Sequence, residues 1–195
     1  MVLCMPFLPP PPSAAWRHQD ARSGFEVAYF QALDGGHLLT GCTTAVEDQH
    51  SWIVDYEIGI DADWNTRRVR VVGRSDAGLR TVTPETDGDG RWRVDGDLAP
   101  HLDGCRDVDL ESSAMTNALP VHRLDLAMHK RATASAAYVR AVDLSVERLE
   151  QQYVRTGGAA QQYGYSAPAF DFACQLTYDE AGLVLSYPGI AVRVG

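Results

Sequence analysis

Residues 107–126 read DVDLESSAMTNALPVHRLDL, joining an acidic segment, a polar turn and an apolar run that contains an arginine. Asp107 and Asp109 alternate with two aliphatic residues, and this period of two is typical of a β-strand. Both carboxylates are therefore expected on one face of that strand. Directly after this strand, the sequence pattern changes to one that predicts a helix.

The best helix candidate is the segment 111–124. Its apolar side would be formed by Met115, Leu119 and Leu124. Ser112 and Ser113 are of a residue type that caps helix N-termini well. Pro120 has no N–H group to donate, so the sequence predicts a helix that is short, kinked or split.

Strands dominate the rest of the chain. The clearest strand is 52–61, where one face is apolar and contains Trp52, Val54, Tyr56, Ile58 and Ile60. Further strands are predicted at 25–32, 37–46, 67–73, 78–84, 91–94, 172–178 and 183–187. The segments 134–144 and 143–154 are interpreted as strands too, although the second also has helical spacing. Many short strands separated by Gly-rich turns predict a mainly β protein.

Composition and charge limit the partners of this protein. The 195 residues are 45% hydrophobic and 22% charged, with a net charge of −9. A surface with this excess of acids disfavours nucleic acid, whose phosphates need basic groups. It also disfavours electrostatic docking on anionic lipid. No apolar run reaches the roughly 18 to 20 residues of a membrane helix, so no integral membrane segment is expected.

Residues 1–22 include four consecutive prolines and predict an extended or disordered Pro-rich leader. The folded domain is expected at 23–195. Because the apolar start has no basic region before it and the prolines prevent a helix, no signal peptide is predicted. A cytoplasmic location with reduced thiols follows as the expectation.

Sequence motifs for metal, cofactor or nucleophilic chemistry are lacking. Cys4, Cys42, Cys105 and Cys174 are far apart in the sequence and form no C-x-x-C pair. The six histidines show no H-x-x-x-H spacing, and neither a G-x-S-x-G elbow nor a Gly-rich phosphate loop is present. We therefore expect no metal, no cofactor and no enzyme activity.

The Asp107 and Asp109 pair allows two interpretations. Their side chains would lie about 7 Å apart on one strand face. Two carboxylates separated by about 6.5 to 9.5 Å serve as acid and base in inverting glycoside hydrolysis. The simpler interpretation is an ion pair with Arg67 or Arg123, because like charges on one strand face need compensation. A hydrolase acting on a glycosidic or ester bond remains the alternative function.

Other polar and aromatic residues could contact a ligand. Arg123 lies in an apolar run and needs an acidic partner, either a carboxylate or a phosphate. Thr116 and Asn117 suit a turn, and Asn also binds sugar hydroxyls. Aromatic rings that could stack on sugars or form the wall of a lipid pocket are Trp64, Trp92, Tyr153, Tyr163, Tyr165 and Tyr187.

A set of short motifs recurs in order from Trp64 to the end of the chain. The motifs are WNTR at 64–67, DGRW at 89–92, GCRDVDL at 104–110, TNALPVHRL at 116–124, QY at 152–153, YGY at 163–165, GLV at 182–184 and YPG at 187–189. Together they resemble the bacterial "putative glycolipid-binding" family. Ala114 and His122 depart from the family pattern, which usually has a proline and often a basic residue there.

The resemblance implies a spiral β-roll, in which a long, highly curved antiparallel sheet wraps around a single α-helix. It also implies a homodimer and non-catalytic binding of a lipid-like or glycolipid-like amphiphile. A dimeric interaction protein with no small-molecule ligand is the third alternative. The residues expected to contact the ligand are Trp64, Arg67, Trp92, Asp107, Asp109, Thr116, Asn117, Arg123, Tyr153 and Tyr165.

Overall fold

In the computed structural model, residues 7–157 and 161–195 are described, and they form sixteen strands and one short α-helix. The first nine strands are β1 Ser13–His18, β2 Ser23–Leu33, β3 Gly36–Glu47, β4 His50–Asp61, β5 Thr66–Ser75, β6 Gly78–Val82, β7 Pro84–Thr86, β8 Trp92–Val94 and β9 Asp97–Leu98. The others are β10 Asp107–Leu110, β11 Arg131–Val139, β12 Val146–Gly157, β13 Gln161–Ala167, β14 Phe172–Tyr178, β15 Val184–Tyr187 and β16 Ala191–Val194, with helix α1 at Ala118–Leu124.

All sixteen strands belong to one open sheet. The order is β10-β11-β12-β13-β14-β15-β16-β1-β2-β3-β4-β5-β7-β8-β9, and β6 pairs with β5 beside this path. Every pair is antiparallel except β10 with β11, which is parallel. The sheet curls until β10, at one end of the order, reaches the start of β5, where the Val108 N–H donates to Thr66 Oγ1 at 3.0 Å. The predicted mainly β fold, a long curved sheet around a single helix, is confirmed.

The interior of the curved sheet follows the alternation predicted from sequence. The inward face of β4 is buried at Trp52, Val54, Tyr56, Ile58 and Ile60. Leu119 of α1 is fully buried against this core. Burial of large apolar side chains on both the sheet and the helix is the main source of stability for such a layer.

The helix differs from its predicted extent of 111–124. A 3-10 turn at Met115–Asn117 precedes the seven-residue α1, so the split that Pro120 predicts is confirmed. Pro120 lies in the first turn of α1, where backbone N–H groups have no acceptor within the helix, so its missing N–H group costs no hydrogen bond. At the N-terminal end, the predicted serine contact is present, because Ser113 Oγ accepts a hydrogen bond from the Thr116 N–H at 3.3 Å. A second contact comes from the sheet, where the Ala114 N–H donates to Oε2 of Glu26 on β2 at 2.7 Å.

The sheet begins before the predicted boundary at residue 23. Strand β1 pairs with both β2 and β16, so part of the predicted leader 1–22 belongs to the sheet. Its alternation of Ala14, Trp16 and His18 toward the interior spans only six residues, which is too short to stand out behind a proline run. Cys4 lies outside the described residues. No helix of the described residues has the length and apolar character to cross a membrane.

The ambiguous region 134–154 consists of strands, as predicted. Strands β11 and β12 pair over nine residues, from Arg131 with Val154 to Val139 with Val146. Leu144 has a φ of 58° in the connection between them. Such a left-handed residue is typical of a tight turn, so the apparent helical spacing after 143 does not form a helix.

Candidate functional site

A cavity of about 290 Å³ lies on the inner face of the half of the sheet formed by β10 to β15. Each of these six consecutive strands contributes at least one lining residue, among them, in order, Asp109, Tyr138, Leu149, Tyr165, Phe172 and Tyr187. The cavity therefore depends on the long-range pairing order of the sheet and not on any local motif. Its volume is close to the lower end of the range of about 300–1,000 Å³ that small-molecule sites occupy.

Aromatic rings form one wall of the cavity. Tyr165 and Tyr187 meet edge to face with ring centroids 5.8 Å apart, and Phe172 meets Tyr187 at 6.0 Å. Tyr138 packs against Phe170, which follows β13, at 5.5 Å. Edge-to-face contacts fix ring orientation, so this wall is a rigid apolar surface.

Polar side chains form a second wall of the cavity, and Asp109 is one of its charged members. Asp109 Oδ1 accepts a hydrogen bond from Thr116 Oγ1 at 2.8 Å, and Oδ2 accepts one from Gln151 Nε2 at 2.6 Å. Burial raises the pKa of Asp109 to about 6, and the nearby charges of Asp107 and Glu111 act in the same direction. Near neutral pH this carboxyl can therefore exist with or without its proton.

Thr116 and Tyr153 support this wall from behind. Tyr153 is fully buried, and its hydroxyl donates to Asn117 Oδ1 at 3.0 Å. Asn117 itself lines the cavity beside Asp109. Gln151 also donates to the Tyr165 hydroxyl at 3.0 Å, which ties the polar wall to the aromatic wall.

Asp107 and Arg123 lie outside the cavity. The Arg123 Nε–H donates to Asp107 Oδ1 at 2.9 Å, and a second guanidinium nitrogen contacts Oδ2, so the contact is bidentate. Asp107 is 1% exposed, and the ion pair fastens α1 to β10. The structural pairing expected from sequence is confirmed for Asp107, whereas Asp109 is held by the neutral donors of Thr116 and Gln151.

Trp64, Trp92 and Arg67 do not reach the cavity either. Trp64 stacks on His122 with ring centroids 3.6 Å apart. Trp92 is buried in a separate cluster, and its indole N–H donates to the Cys105 carbonyl at 3.0 Å. Arg67 pairs through Nε with the Asp61 carboxylate at 2.9 Å. Of the ten residues expected at the site, the fold brings Asp109, Asn117 and Tyr165 to the cavity wall.

Sequence reasoning missed Arg22 and Arg140, which line the cavity near Glu111. Arg22 Nη1 donates to the Glu111 carbonyl at 3.2 Å, and Arg140 Nη1 lies 3.9 Å from the Glu111 carboxylate. No local signal identifies them, because Arg22 precedes β2 and Arg140 follows β11, more than a hundred residues apart. Among the described residues, no group of His, Cys, Asp and Glu side chains is arranged to hold a metal ion.

Two solved structures are similar to this protein over most of its length. A crystal structure of a DUF1089 family protein from Pseudomonas aeruginosa is 31% identical, with a TM-score of 0.77 over 87% of this chain and 92% of that chain. A beta-barrel-like protein of the domain of unknown function DUF1849 from Brucella abortus is 13% identical, with a TM-score of 0.51 over 93% of both chains, and this likeness concerns the fold alone. No curated protein matches the chain.

A family model also matches the chain and identifies its family. The model of the family described as "Putative glycolipid-binding" matches residues 13–193. This match begins at Ser13, the first residue of β1, and extends into β16, so it covers the whole sheet. The chain belongs to the "Putative glycolipid-binding" family.

Proposed function

We propose that this protein binds a glycolipid-like amphiphile in the cavity between β10 and β15, without converting it chemically. The observation that carries the proposal is the pairing of a rigid aromatic wall with a polar wall containing Asp109 and Asn117. A sugar ring, or the linkage between a sugar and an acyl chain, presents one apolar and one polar side. Such a molecule matches both walls.

The two walls of the cavity contribute to binding in different ways. Contact with Tyr165, Phe172 and Tyr187 removes apolar ligand surface from water, at about 25 cal/mol per Å². Asp109 and Asn117 then fix the orientation, since a ligand that leaves buried polar groups unpaired binds poorly. Aromatic area supplies affinity and the two polar side chains supply specificity.

Filling the cavity tests this proposal. Ala167 lines the cavity and is 1% exposed, so Ala167→Leu removes ligand space. Ala32 on β2 is exposed, and Ala32→Leu is the matched control. Isothermal titration with octyl β-glucoside below its micelle concentration should show binding to the wild type and the control but not to Ala167→Leu. Equal binding by all three folded proteins would contradict the proposal.

The hydrolase alternative has weaker support. A paired-carboxylate mechanism needs two free carboxylates facing the substrate. Asp107 is 1% exposed and bound to Arg123. Only Asp109 of the pair lines the cavity. Release of a free sugar or acid from a glycolipid by the purified protein would support an enzyme and overturn the non-catalytic proposal.

We also infer a homodimer that forms through the outer face of β2 and β3. None of the eleven side chains that face outward from these strands is charged: Ser23, Phe25, Val27, Tyr29, Gln31, Leu33, Leu38, Thr40, Cys42, Thr44 and Val46. Arg17 on β1 flanks this face on one side and Asp55 and Glu57 on β4 flank it on the other. A two-fold axis parallel to the strands would place the Arg17 of one copy over the acidic flank of the other.

The oligomeric state tests the dimer directly. Tyr29 is 57% exposed on the outer face, and Leu98 is 68% exposed on β9. Light scattering should show a dimer for the wild type and for Leu98→Lys, but a monomer for Tyr29→Lys. A monomeric wild type would overturn this inference.

A cytoplasmic location is part of the same proposal. Cys42, Cys105 and Cys174 are free thiols, which suits a reducing compartment. Cell fractionation with an antibody to the protein should find it in the cytosolic fraction. Recovery from an exported fraction would contradict this location.

A further inference from the structure

A second, wider cleft of about 690 Å³ adjoins the aromatic cavity. The two spaces share Glu111 and Arg140 as lining residues. The cleft extends from this shared wall toward the β3–β4 turn and the turn after β5. A ligand that fills the aromatic cavity therefore has one adjoining space into which a second part can extend.

The cleft is strongly acidic. Six carboxylates line it, from Glu47, Asp48, Asp76, Glu111, Asp143 and Glu147, and Arg140 is the one arginine or lysine among the lining residues. Arg140 lies 3.9 Å from the Glu111 carboxylate and 3.6 Å from that of Glu147. His50 lies 3.3 Å from Asp76, and Arg22, which is outside the cleft lining, lies 3.7 Å from the Glu47 carboxylate. Carboxylates remain in excess after these contacts, so the cleft repels anions and favours groups that donate hydrogen bonds.

Trp52 provides a second and independent observation. Its side chain lines the cleft and is 2% exposed, yet its indole Nε1–H has no hydrogen-bond acceptor among the described residues. The Arg22 guanidinium lies over the ring at 5.2 Å and covers one face. A buried donor without an acceptor costs free energy, and a ligand oxygen would satisfy it.

We propose that this acidic cleft is a second subsite for the same ligand and holds a hydroxyl-rich head without negative charge, namely a neutral or amine-bearing sugar. The carboxylates accept hydrogen bonds from the sugar hydroxyls or the ammonium group, and a sugar oxygen accepts the Trp52 N–H. The apolar part of the ligand stays in the aromatic cavity, so this inference rests on the proposed function.

Three probes with the same octyl chain test the selectivity of the cleft. Octyl β-glucoside, octyl 2-amino-2-deoxyglucoside and octyl phosphate are titrated into the full-length protein at low ionic strength, below their micelle concentrations. The two sugars should bind at least about tenfold more tightly than the phosphate, because the carboxylates of the cleft repel its negative charge. Equal binding of all three would overturn this inference and leave the proposed function intact. Failure of all three to bind would overturn both.

Removing carboxylates from the cleft tests whether the cleft is the source of this ligand selectivity. The double variant Asp76→Asn, Asp143→Asn removes two exposed charges of the cleft, and Asp63→Asn, Asp97→Asn, at two exposed positions outside the cleft, is the matched control. The double variant should bind octyl phosphate more tightly and the aminoglucoside more weakly, by severalfold each, while the control leaves both affinities unchanged. Unchanged selectivity in the folded double variant would overturn the subsite. Trp52→Phe keeps an aromatic ring but removes the unpaired N–H. This variant should bind the two sugars more weakly and octyl phosphate with unchanged affinity.

Discussion

The Glu26 carboxylate on β2 accepts a hydrogen bond from the Ala114 N–H at 2.7 Å and so joins the centre of the sheet to the start of the helical segment. Tyr56 and Ser113 donate to the other carboxylate oxygen. Glu26 is fully buried, and burial raises its pKa. A side chain 88 residues before Ala114 thus adds to the local cap that Ser113 forms with the Thr116 N–H.

Replacing Glu26 should separate this capping role from its charge. Glu26→Ala leaves buried donors unpaired, at about 1–3 kcal/mol for each such group, so urea unfolding should show a loss of several kcal/mol. Glu26→Gln keeps an acceptor for the Ala114 N–H and should cost less. Equal losses in the two variants would indicate that the ionised form of Glu26 matters more than its hydrogen bonds.

The Asp107 and Arg123 pair should behave as a structural contact. Arg123→Leu leaves a buried, uncompensated carboxylate, and we expect a loss of about 3–5 kcal/mol in unfolding free energy. Adding Asp107→Leu should recover much of that loss, which a double-mutant cycle measures. If Arg123→Leu unfolds like the wild type but loses ligand affinity, the arginine is a ligand contact instead.

Asp109 should make stability depend on pH. Its pKa is raised to about 6, chiefly by burial, while a carboxyl in an unfolded chain titrates near 4. Between about pH 4 and 6, the folded protein keeps a proton on Asp109 that the unfolded chain releases. The stabilising contribution of this proton is therefore complete below about pH 4 and is lost as the pH rises to about 6 and above. The expected loss is on the order of 2–3 kcal/mol.

Asp109→Asn isolates this effect from other carboxyl groups. The difference in unfolding free energy between wild type and variant, measured in urea from pH 4 to 7.5, should shift in favour of the variant as the pH rises. A difference independent of pH would mean that Asp109 titrates normally in the folded state.

The apolar side of α1 should be essential to the core. Leu119 is fully buried, and Leu119→Ala should reduce the unfolding free energy by about 2–5 kcal/mol, as expected for a cavity in a packed interior. Leu79 on β6 is 63% exposed, and Leu79→Ala is the control that should change little. Similar losses in both variants would mean that α1 does not anchor the interior.

Much of the fold was predictable because alternation is a local signal. The buried face of β4 was evident from residues 52–61, and Pro120 indicated the split helix. The cap from Glu26 was not predictable, because it depends on a contact between segments far apart in sequence. Strand β1 was missed because six residues after a proline run carry too short a pattern.

The site was predictable only in part, since residue type alone does not reveal which side of a curved sheet a side chain faces. Asp109, Asn117 and Tyr165 were identified and line the cavity. Trp64 and Trp92 share the chemistry expected of ligand contacts, but the fold places both elsewhere.

The most direct test of ligand binding is native mass spectrometry of the protein purified from its own host, followed by organic extraction of any bound molecule. We expect an amphiphile of defined mass, with a sugar head and no negative charge, that is present in the wild type and absent from Ala167→Leu. A wild-type protein that carries no ligand, and that takes up none when exposed to a lipid extract of that host, would contradict this expectation.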